Sequence, residues 1–188
     1  MLDQAYAETI AVAAMVTADD LDRPTPCPDW DIRALVNHFL WATAVLSEST
    51  TGKADLGPAV LTPGMGPSAD LVGNDVATAT ARQLETALSY WQQPGALERI
   101  CHLPLGDIPG FFVAHFNLLD LYTHRWDLGR AIAHDVTMNH ELAEAALSFA
   151  QGVLTDELRA QVGIAAPVAA APGASPGARL VAFMGRHP

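Results

Sequence analysis

An aspartate and a histidine that lie four residues apart are the side chains of this sequence best suited to chemistry. Asp120 and His124 belong to residues 111–133, a segment whose apolar spacing predicts a helix. Side chains four apart are neighbours on one helix face, with Cβ atoms about 5–6 Å apart. The pair falls on or beside the stripe that should face the protein core, where an unpaired charge is costly. A carboxylate and an imidazole in that position need a partner, and a divalent metal ion is an economical one.

A second histidine is placed to complete such a site. His38 lies between Leu35 and Ala42 on the core stripe of another predicted helix, which is an unusual position for a lone imidazole. The interiors of helical bundles are where metal sites are built from facing helices. Two imidazoles and one carboxylate suit zinc, iron, nickel, cobalt or manganese, and they leave room for water or substrate. The sequence therefore predicts a metal site formed by His38, Asp120 and His124.

The same residues also admit a purely structural interpretation. An isolated buried histidine is more often a hydrogen-bonded core residue than a ligand, and Asp120 and His124 can form a simple ion pair. Cys27, in the turn before the second helix, can approach the mouth of a site, although a small buried apolar role is more common for cysteine. The spacing favours a metal only when the three candidate ligands are taken together.

The other polar and aromatic residues receive simpler interpretations. Five further histidines are expected at the surface: His102, His115, His134, His140 and His187. Three arginines are expected on solvated helix faces: Arg82, Arg125 and Arg130. Two tryptophans, Trp30 and Trp126, are expected to be packing anchors. Asp29 and Asp127 are candidate general bases if a metal-bound water is the nucleophile.

Five helices and a short C-terminal helix are predicted to position these residues. The five segments are residues 2–17, 31–47, 69–92, 111–133 and 139–154, and the second begins with Asp31 as its N-cap. Residues 49–68 form a long connection rich in glycine and proline, and residues 96–110 are expected to include a short extended piece. The final helix is bounded by Ser175 as N-cap, Pro176 in its first turn and Gly185 as its stop. No segment alternates cleanly with period two, so the predicted fold class is all-α.

The composition limits the classes of function. The chain has 188 residues, half of them hydrophobic, and a net charge of −11 with a single lysine, Lys53. Phosphate binding needs clustered basic residues, so we expect no nucleic-acid partner. Two cysteines cannot form a disulfide framework, no basic leader follows Met1, and the longest apolar stretch, residues 9–18, is too short to span a bilayer. We therefore expect a cytoplasmic protein that does not bind a membrane.

Three stretches of the sequence resemble a known family. They are Thr25-Pro-Cys-Pro-Asp-Trp-Asp-Ile-Arg-Ala-Leu-Val-Asn-His38, Asp120-Leu-Tyr-Thr-His-Arg-Trp-Asp-Leu128 and the closing residues 174–188. The first two resemble the N-terminal domain of mycothiol-dependent maleylpyruvate isomerases, which belongs to the DinB-like four-helix metal-binding superfamily. The closing stretch resembles the end of a stand-alone actinobacterial subfamily. The Pro-Cys-Pro-Asp-Trp and Val-Asn-His elements are the more specific part of the resemblance.

The resemblance implies a fold and a site. The fold would be an up-down-down-up four-helix bundle with residues 49–68 as the crossover between its second and third helices. Residues 1–164 would form the metal-binding bundle, and residues 165–188 an extended tail and short helix packed on it. A divalent metal, with zinc as the first expectation, would be held by His38, Asp120 and His124. Asp120 stands where the isomerase has glutamate, so the ligand is one methylene shorter.

The resemblance also implies a thiol cofactor, mycothiol, whose sulfur would ligate or approach the metal. Because a metal lowers the pKa of a thiol, the first hypothesis is a mycothiol-linked transferase or isomerase that acts on a small electrophile. Its partners would be a small-molecule substrate and the thiol, and a homodimer is one option for its assembly. The alternatives are a non-catalytic metal-binding or interaction bundle and a metal-dependent hydrolase of a small amide or ester.

Overall fold

The computed structural model describes residues 1–52, 66–103 and 106–188, and these residues are mainly helical. Seven α-helices lie in these ranges: α1 (Leu2–Ala13), α2 (Ile32–Ser49), α3 (Val76–Trp91), α4 (Gly110–Ala131), α5 (His140–Val153), α6 (Asp156–Val162) and α7 (Pro176–Phe183). Two short strands, β1 (Ile100–Leu103) and β2 (Gly106–Pro109), pair antiparallel. Within the described ranges, no helix combines the length and apolar character that crossing a bilayer requires. The predicted all-α class is confirmed.

Helices α1 to α4 form a four-helix bundle. Helix α2 packs against α3 and α4, and α1 packs against the same two helices. The space between them is filled by fully buried apolar side chains, among them Leu35, Phe39, Leu84, Leu118 and Leu121. Helix α5 packs on α4, and α7 packs on α5. The predicted up-down-down-up bundle is confirmed, whereas most of the predicted crossover at 49–68 lies outside the described residues.

Side-chain caps set the starts of α2, which carries His38, and of α7 near the C-terminus. Asp31 caps α2 as predicted, because its carboxylate accepts a hydrogen bond from the backbone N–H of Ala34 at 2.8 Å. Ser175 caps α7 in the same way, accepting from the N–H of Ala178 at 3.2 Å. Both caps were readable from a small polar residue that stands just before an apolar periodic run.

Three parts of the helix prediction were wrong. Helix α1 ends at Ala13 rather than at residue 17. Helix α3 starts at Val76 rather than at residue 69, because Asp75 caps it and Gly73 adopts a left-handed φ of +56°. Helix α6 was not predicted, although Thr155 caps it by accepting a hydrogen bond from Leu158 N. A helix of 7 residues is too short to show a clear apolar period.

The predicted extended piece at 96–110 forms the hairpin of β1 and β2, which leads directly into α4. Cys101 pairs with Ile108 across the hairpin. The first residue of α4, Gly110, lies against the chain before the hairpin, since a Cβ there would be 2.0 Å from the carbonyl oxygen of Ala96. Only glycine allows this close approach, and the approach sets where α4 begins.

A buried layer of polar side chains links all four helices of the bundle. Trp91 Nε1 of α3 donates to Tyr6 Oη of α1 at 2.9 Å, and the Tyr6 hydroxyl donates to Asn117 Oδ1 of α4. Asn117 Nδ2 in turn donates to Thr43 Oγ1 of α2 at 3.1 Å. Because each buried polar atom in this layer has a partner on another helix, the layer fixes the relative heights of the four helices.

The structure corrects the assignment of Arg125 to a solvated surface. Arg125 is 1% exposed, and its guanidinium pairs with Glu8 of α1 and donates to the carbonyl oxygen of Thr137 at 2.8 Å. Tyr122 also donates to Glu8 and lies under the guanidinium, 4.6 Å from it. Arg82 and Arg130 are exposed as predicted. Sequence alone could not identify the paired arginine, because Glu8 lies 117 residues away.

The polar layer predicts a specific loss of stability on removal of one hydroxyl. We expect Tyr6→Phe to lower the free energy of unfolding by about 1–3 kcal/mol, because Trp91 Nε1 and Asn117 Oδ1 then lose their buried partner. Urea unfolding measures the change. Tyr90→Phe, at a half-buried position of α3, is the matched control. Equal losses in the two variants would contradict the structural role given to the layer.

Candidate metal centre

The contact between α2 and α4 brings the three predicted ligands together. His38 is in the second turn of α2, and Asp120 and His124 lie one turn apart on α4. His38 Nε2 is 3.2 Å from Asp120 Oδ1, and His124 Nε2 is 3.5 Å from the same oxygen. The two imidazole rings meet edge to face with their centroids 4.8 Å apart. One ligand atom from each residue thus lies within 4.8 Å of the other two, as a shared metal ion requires.

The second oxygen of Asp120 is available to a metal ion. Asp120 Oδ2 is buried and has no hydrogen-bond partner among the described residues. Such an atom has lost water as a partner without gaining a hydrogen bond from the protein, which is an energetic cost. A divalent cation beside the carboxylate and the two Nε2 atoms would offset that cost, and two imidazoles with one carboxylate are a donor set typical of zinc and of other transition metals.

The electrostatics of the site couple these three groups. Burial opposes ionisation of Asp120, but the neighbouring His38 and His124 outweigh it and hold the pKa of Asp120 below its ordinary value. Burial likewise disfavours protonated His124, yet Asp120, Asp127 and Cys27 together raise the pKa of His124 well above its ordinary value. Without a metal, the site is therefore held together by an ionised carboxylate and a protonated imidazole.

Asp127 is the main residue of the site whose role the sequence did not reveal. It was considered as a general base, but its side chain is 0% exposed and both of its oxygens are engaged. Oδ2 accepts from His124 Nδ1 at 3.0 Å and from Arg186 Nη2 at 2.8 Å, and Oδ1 accepts from Arg186 Nε at 3.2 Å. Burial opposes its ionisation, but His124 and Arg186 lower the pKa of Asp127 to about 2. Its spacing of three residues from His124 was the signal available in the sequence.

Cys27 joins a second cluster of possible metal ligands, which is a poorer cation site. Cys27 Sγ donates to Asp127 Oδ2 at 3.2 Å and lies 3.8 Å from His124 Nδ1. Arg186 Nη2 is 3.3 Å from the same sulfur and 2.8 Å from the same carboxylate oxygen. A guanidinium that already occupies this position would repel a metal ion there. Cys27 is buried as predicted, beneath the site rather than at its mouth.

Trp30 covers the imidazole rings of the candidate site. Its ring centroid lies 4.8 Å from that of His38 and 5.9 Å from that of His124. Trp30 therefore has the expected packing role, and it packs against the candidate ligands themselves.

Of the other histidines, four are exposed as predicted: His102, His134, His140 and His187. His115 is half-buried instead, with its ring 5.4 Å from that of Phe149.

Gly66 lies against His38 at the edge of the described chain. A Cβ at this position would be 3.0 Å from His38 Nδ1 and 3.2 Å from both His38 Cα and Trp41 Cε3. These distances are shorter than ordinary van der Waals contacts. Glycine therefore allows residue 66 to approach the ring of the candidate ligand without displacing it.

The close approach of Gly66 predicts that a single methyl group weakens the site. We expect Gly66→Ala to displace the His38 ring and to lower zinc affinity by about tenfold, a loss typical of disturbed contacts around a ligand. Competition titration with a chromophoric chelator measures the affinity. Gly152→Ala is the matched control, because a Cβ at that helical position meets nothing within 4 Å. Unchanged affinity in Gly66→Ala would contradict the contact.

The paired charges also predict how pH affects the metal-free protein. The raised pKa of His124 contributes stability that is present below its ordinary value of 6.5 and is lost as the pH rises through the raised value. The lowered pKa of Asp120 contributes stability that is present above its ordinary value of 3.8 and is lost as the pH falls. The metal-free protein should therefore be most stable between pH 3.8 and pH 6.5. Urea unfolding in the presence of a chelator, at pH values within this range and on both sides of it, tests the expectation.

Two comparisons separate this effect from other titrations. Asp120→Asn removes the charge at nearly constant volume and should flatten the decline above pH 6.5. Added zinc should reverse the decline, because metal and protons compete for the same imidazole nitrogens. The same pH profile in the parent and in Asp120→Asn would show that the pair does not carry the effect.

Comparison with known proteins identifies relatives along most of the chain. Residues 2–129 match the family described as the mycothiol maleylpyruvate isomerase N-terminal domain, and this range contains His38, Asp120 and His124. Two uncharacterized proteins of Mycobacterium tuberculosis, from strains CDC 1551 and H37Rv, are each 30% identical over 177 residues, which is 94% of this chain and 90% of theirs.

The fold is shared with solved structures. Crystal structures of the mycothiol-dependent maleylpyruvate isomerase and of its histidine-to-alanine mutant superpose with TM-scores of 0.58 and 0.60 at 12% identity. Each superposition covers 79% of this chain but 64% of the isomerase, so the chain spans less than two thirds of that protein. The match over residues 2–129 shows that the chain belongs to the mycothiol maleylpyruvate isomerase N-terminal domain family.

Proposed function

We propose that this protein binds one divalent metal ion, with zinc as the first expectation, through His38, Asp120 and His124. It would use the metal with mycothiol either to transfer the thiol onto a small electrophile or to isomerise that electrophile. The convergence of two imidazole Nε2 atoms on a carboxylate with one unpartnered buried oxygen carries the proposal. The family adds the thiol, because its name and that of the solved relatives refer to mycothiol.

The exposure of the candidate ligands allows a small molecule to approach the site. The side chains of His38 and Asp120 are 22% and 24% exposed, so a small molecule can reach them from solvent. Trp30 packs on the ring of His38, and Cys27 next to Asp127 is buried. A metal bound at this site would supply one kind of chemistry, the conversion of a thiol to the thiolate that adds to electrophiles.

The chain's own residues prepare the ligands for that role. Asp127 accepts the Nδ1 hydrogen of His124, which leaves Nε2 as the nitrogen free to bind the metal. The ring of Trp30 packs on His38 and limits the rotation of the imidazole. These contacts hold two donor atoms in place before any metal arrives, so less ordering accompanies binding.

Two other functions make different demands on the same site. A hydrolase needs a free general base, but Asp127 is engaged by His124 and Arg186, and Asp29 is exposed in the turn before Trp30. A non-catalytic bundle stabilised by its metal needs no access from solvent, whereas the partly exposed His38 and Asp120 do provide such access. The geometry therefore favours the thiol-linked reaction over both.

Metal content and thiol binding test the proposal in one series. We expect protein purified without chelator or histidine tag to bind close to one equivalent of zinc by mass spectrometry, and His38→Ala and Asp120→Ala to bind little. The zinc-loaded parent should then bind mycothiol by calorimetry, and it should not bind S-methylated mycothiol, which lacks the ionisable sulfhydryl. His115→Ala, outside the site on the same helix, should behave as the parent in both measurements.

The outcomes separate the three functions. No zinc in the parent after reconstitution would contradict the metal site and with it the proposed enzyme. Zinc without mycothiol binding, together with a large loss of stability on chelation, would indicate the non-catalytic bundle. Hydrolysis of esters or amides by the zinc-loaded protein in the absence of any thiol would indicate the hydrolase.

A further inference from the structure

We infer that the C-terminal segment after α7 is part of the metal centre, and that Arg186 is a positioning residue that acts on the metal through Asp127 and His124. The inference rests on the proposed metal site and adds residues outside it. Arg186 lies beyond residues 2–129, the range that matches the family, so the family match does not cover it.

Arg186 holds the carboxylate of Asp127 in a single orientation. Its Nε donates to Oδ1 at 3.2 Å and its Nη2 donates to Oδ2 at 2.8 Å, which is the two-point contact that a planar guanidinium makes with a carboxylate. A contact to one oxygen would leave the carboxylate free to rotate about χ2. A contact to both oxygens fixes its plane.

The fixed carboxylate in turn orients a candidate ligand. Asp127 Oδ2 accepts from His124 Nδ1 at 3.0 Å, and this ring nitrogen is the one that faces away from Asp120. With the hydrogen on Nδ1, Nε2 keeps its lone pair toward His38 and Asp120. Partners of this kind behind a ligating histidine typically account for a 10–100-fold difference in metal affinity.

A defined helix end brings Arg186 to this position. After α7, the N–H groups of Gly185 and Arg186 donate to the carbonyl oxygens of Ala182 and Val181, the pattern of a Schellman motif. Gly185 has φ +83°, and a Cβ on it would be 2.6 Å from the Cβ of Ala165. The glycine therefore turns the chain sharply and sends the next side chain back toward α4.

The same cluster anchors the loop that carries Trp30. Cys27 Sγ lies 3.2 Å from Asp127 Oδ2 and 3.3 Å from Arg186 Nη2. Three separate parts of the chain therefore meet behind the ligands: the loop before α2, the end of α4 and the segment after α7. Because binding couplings are reciprocal, Arg186 should strengthen metal binding and metal binding should hold the C-terminal segment in place.

Zinc affinity in two arginine variants tests this role. We expect Arg186→Gln to bind zinc at least tenfold more weakly than the parent in competition titrations with a chromophoric chelator. Arg179→Gln is the matched control, because Arg179 also joins α7 to the body of the protein, through Glu144 at 3.2 Å, but does not contact the site. It should bind zinc within twofold of the parent.

Hydrogen exchange supplies a second readout that a general loss of structure would not reproduce. Zinc should slow amide exchange at residues 180–186 in the parent and in Arg179→Gln, but not in Arg186→Gln. If Arg186→Gln does not fold, Arg186→Lys takes its place, since a lysine keeps the charge but cannot contact both oxygens at once.

The outcomes distinguish this inference from the proposed function. A parent that binds zinc while Arg186→Gln stays within twofold of it overturns the positioning role and leaves the metal site intact. An equal loss in Arg179→Gln overturns it as well, because docking of α7 would then explain the effect. A parent that binds no zinc overturns both the metal site and the role of Arg186.

Discussion

The contact of the Asp120 carboxylate with the imidazoles of His38 and His124 determines how the residues around it are arranged. Asp120 lies where α2 and α4 pack together, and one of its oxygens has no partner among the described residues. An apolar side chain at this position would extend the bundle core without leaving a buried oxygen unpaired. The protein instead places His38 and His124 beside the carboxylate, with Trp30 packed on His38, and a cation bound there would have three donor groups.

The bundle provides the rigidity that such a site requires. Asn117, one turn from Asp120, belongs to the polar layer that links the four helices. The candidate ligands therefore lie on helices whose relative heights are fixed by this layer. Behind the ligands, Asp127 and Arg186 connect α4 to the end of the chain. The loop before α2, the bundle and the C-terminal segment thus all bear on the orientation of His124, which contacts Trp30, Asp120 and Asp127 directly and Arg186 only through Asp127.

The sequence predicted the fold class and the three candidate ligands, because both leave local signals. Helical spacing placed Asp120 and His124 on one face, and the stripe around His38 placed it in the core. Contacts between distant residues left no such signal. The sequence around Arg125 is typical of a surface residue, but its guanidinium pairs with Glu8. Nothing in the sequence indicates that Arg186 contacts Asp127, which lies 59 residues earlier. The charge of an arginine is visible in a sequence, but its partner is set by the tertiary fold.

X-ray absorption spectroscopy of the zinc-loaded protein tests the assignment of the metal to His38, Asp120 and His124, because it reports the atoms bound to the metal. We expect only nitrogen and oxygen neighbours at about 2.0–2.2 Å, from His38, Asp120, His124 and solvent. A sulfur neighbour at about 2.3 Å would place the metal instead at the cluster of Cys27, His124 and Asp127. That result would contradict the assignment of the metal to the contact between α2 and α4.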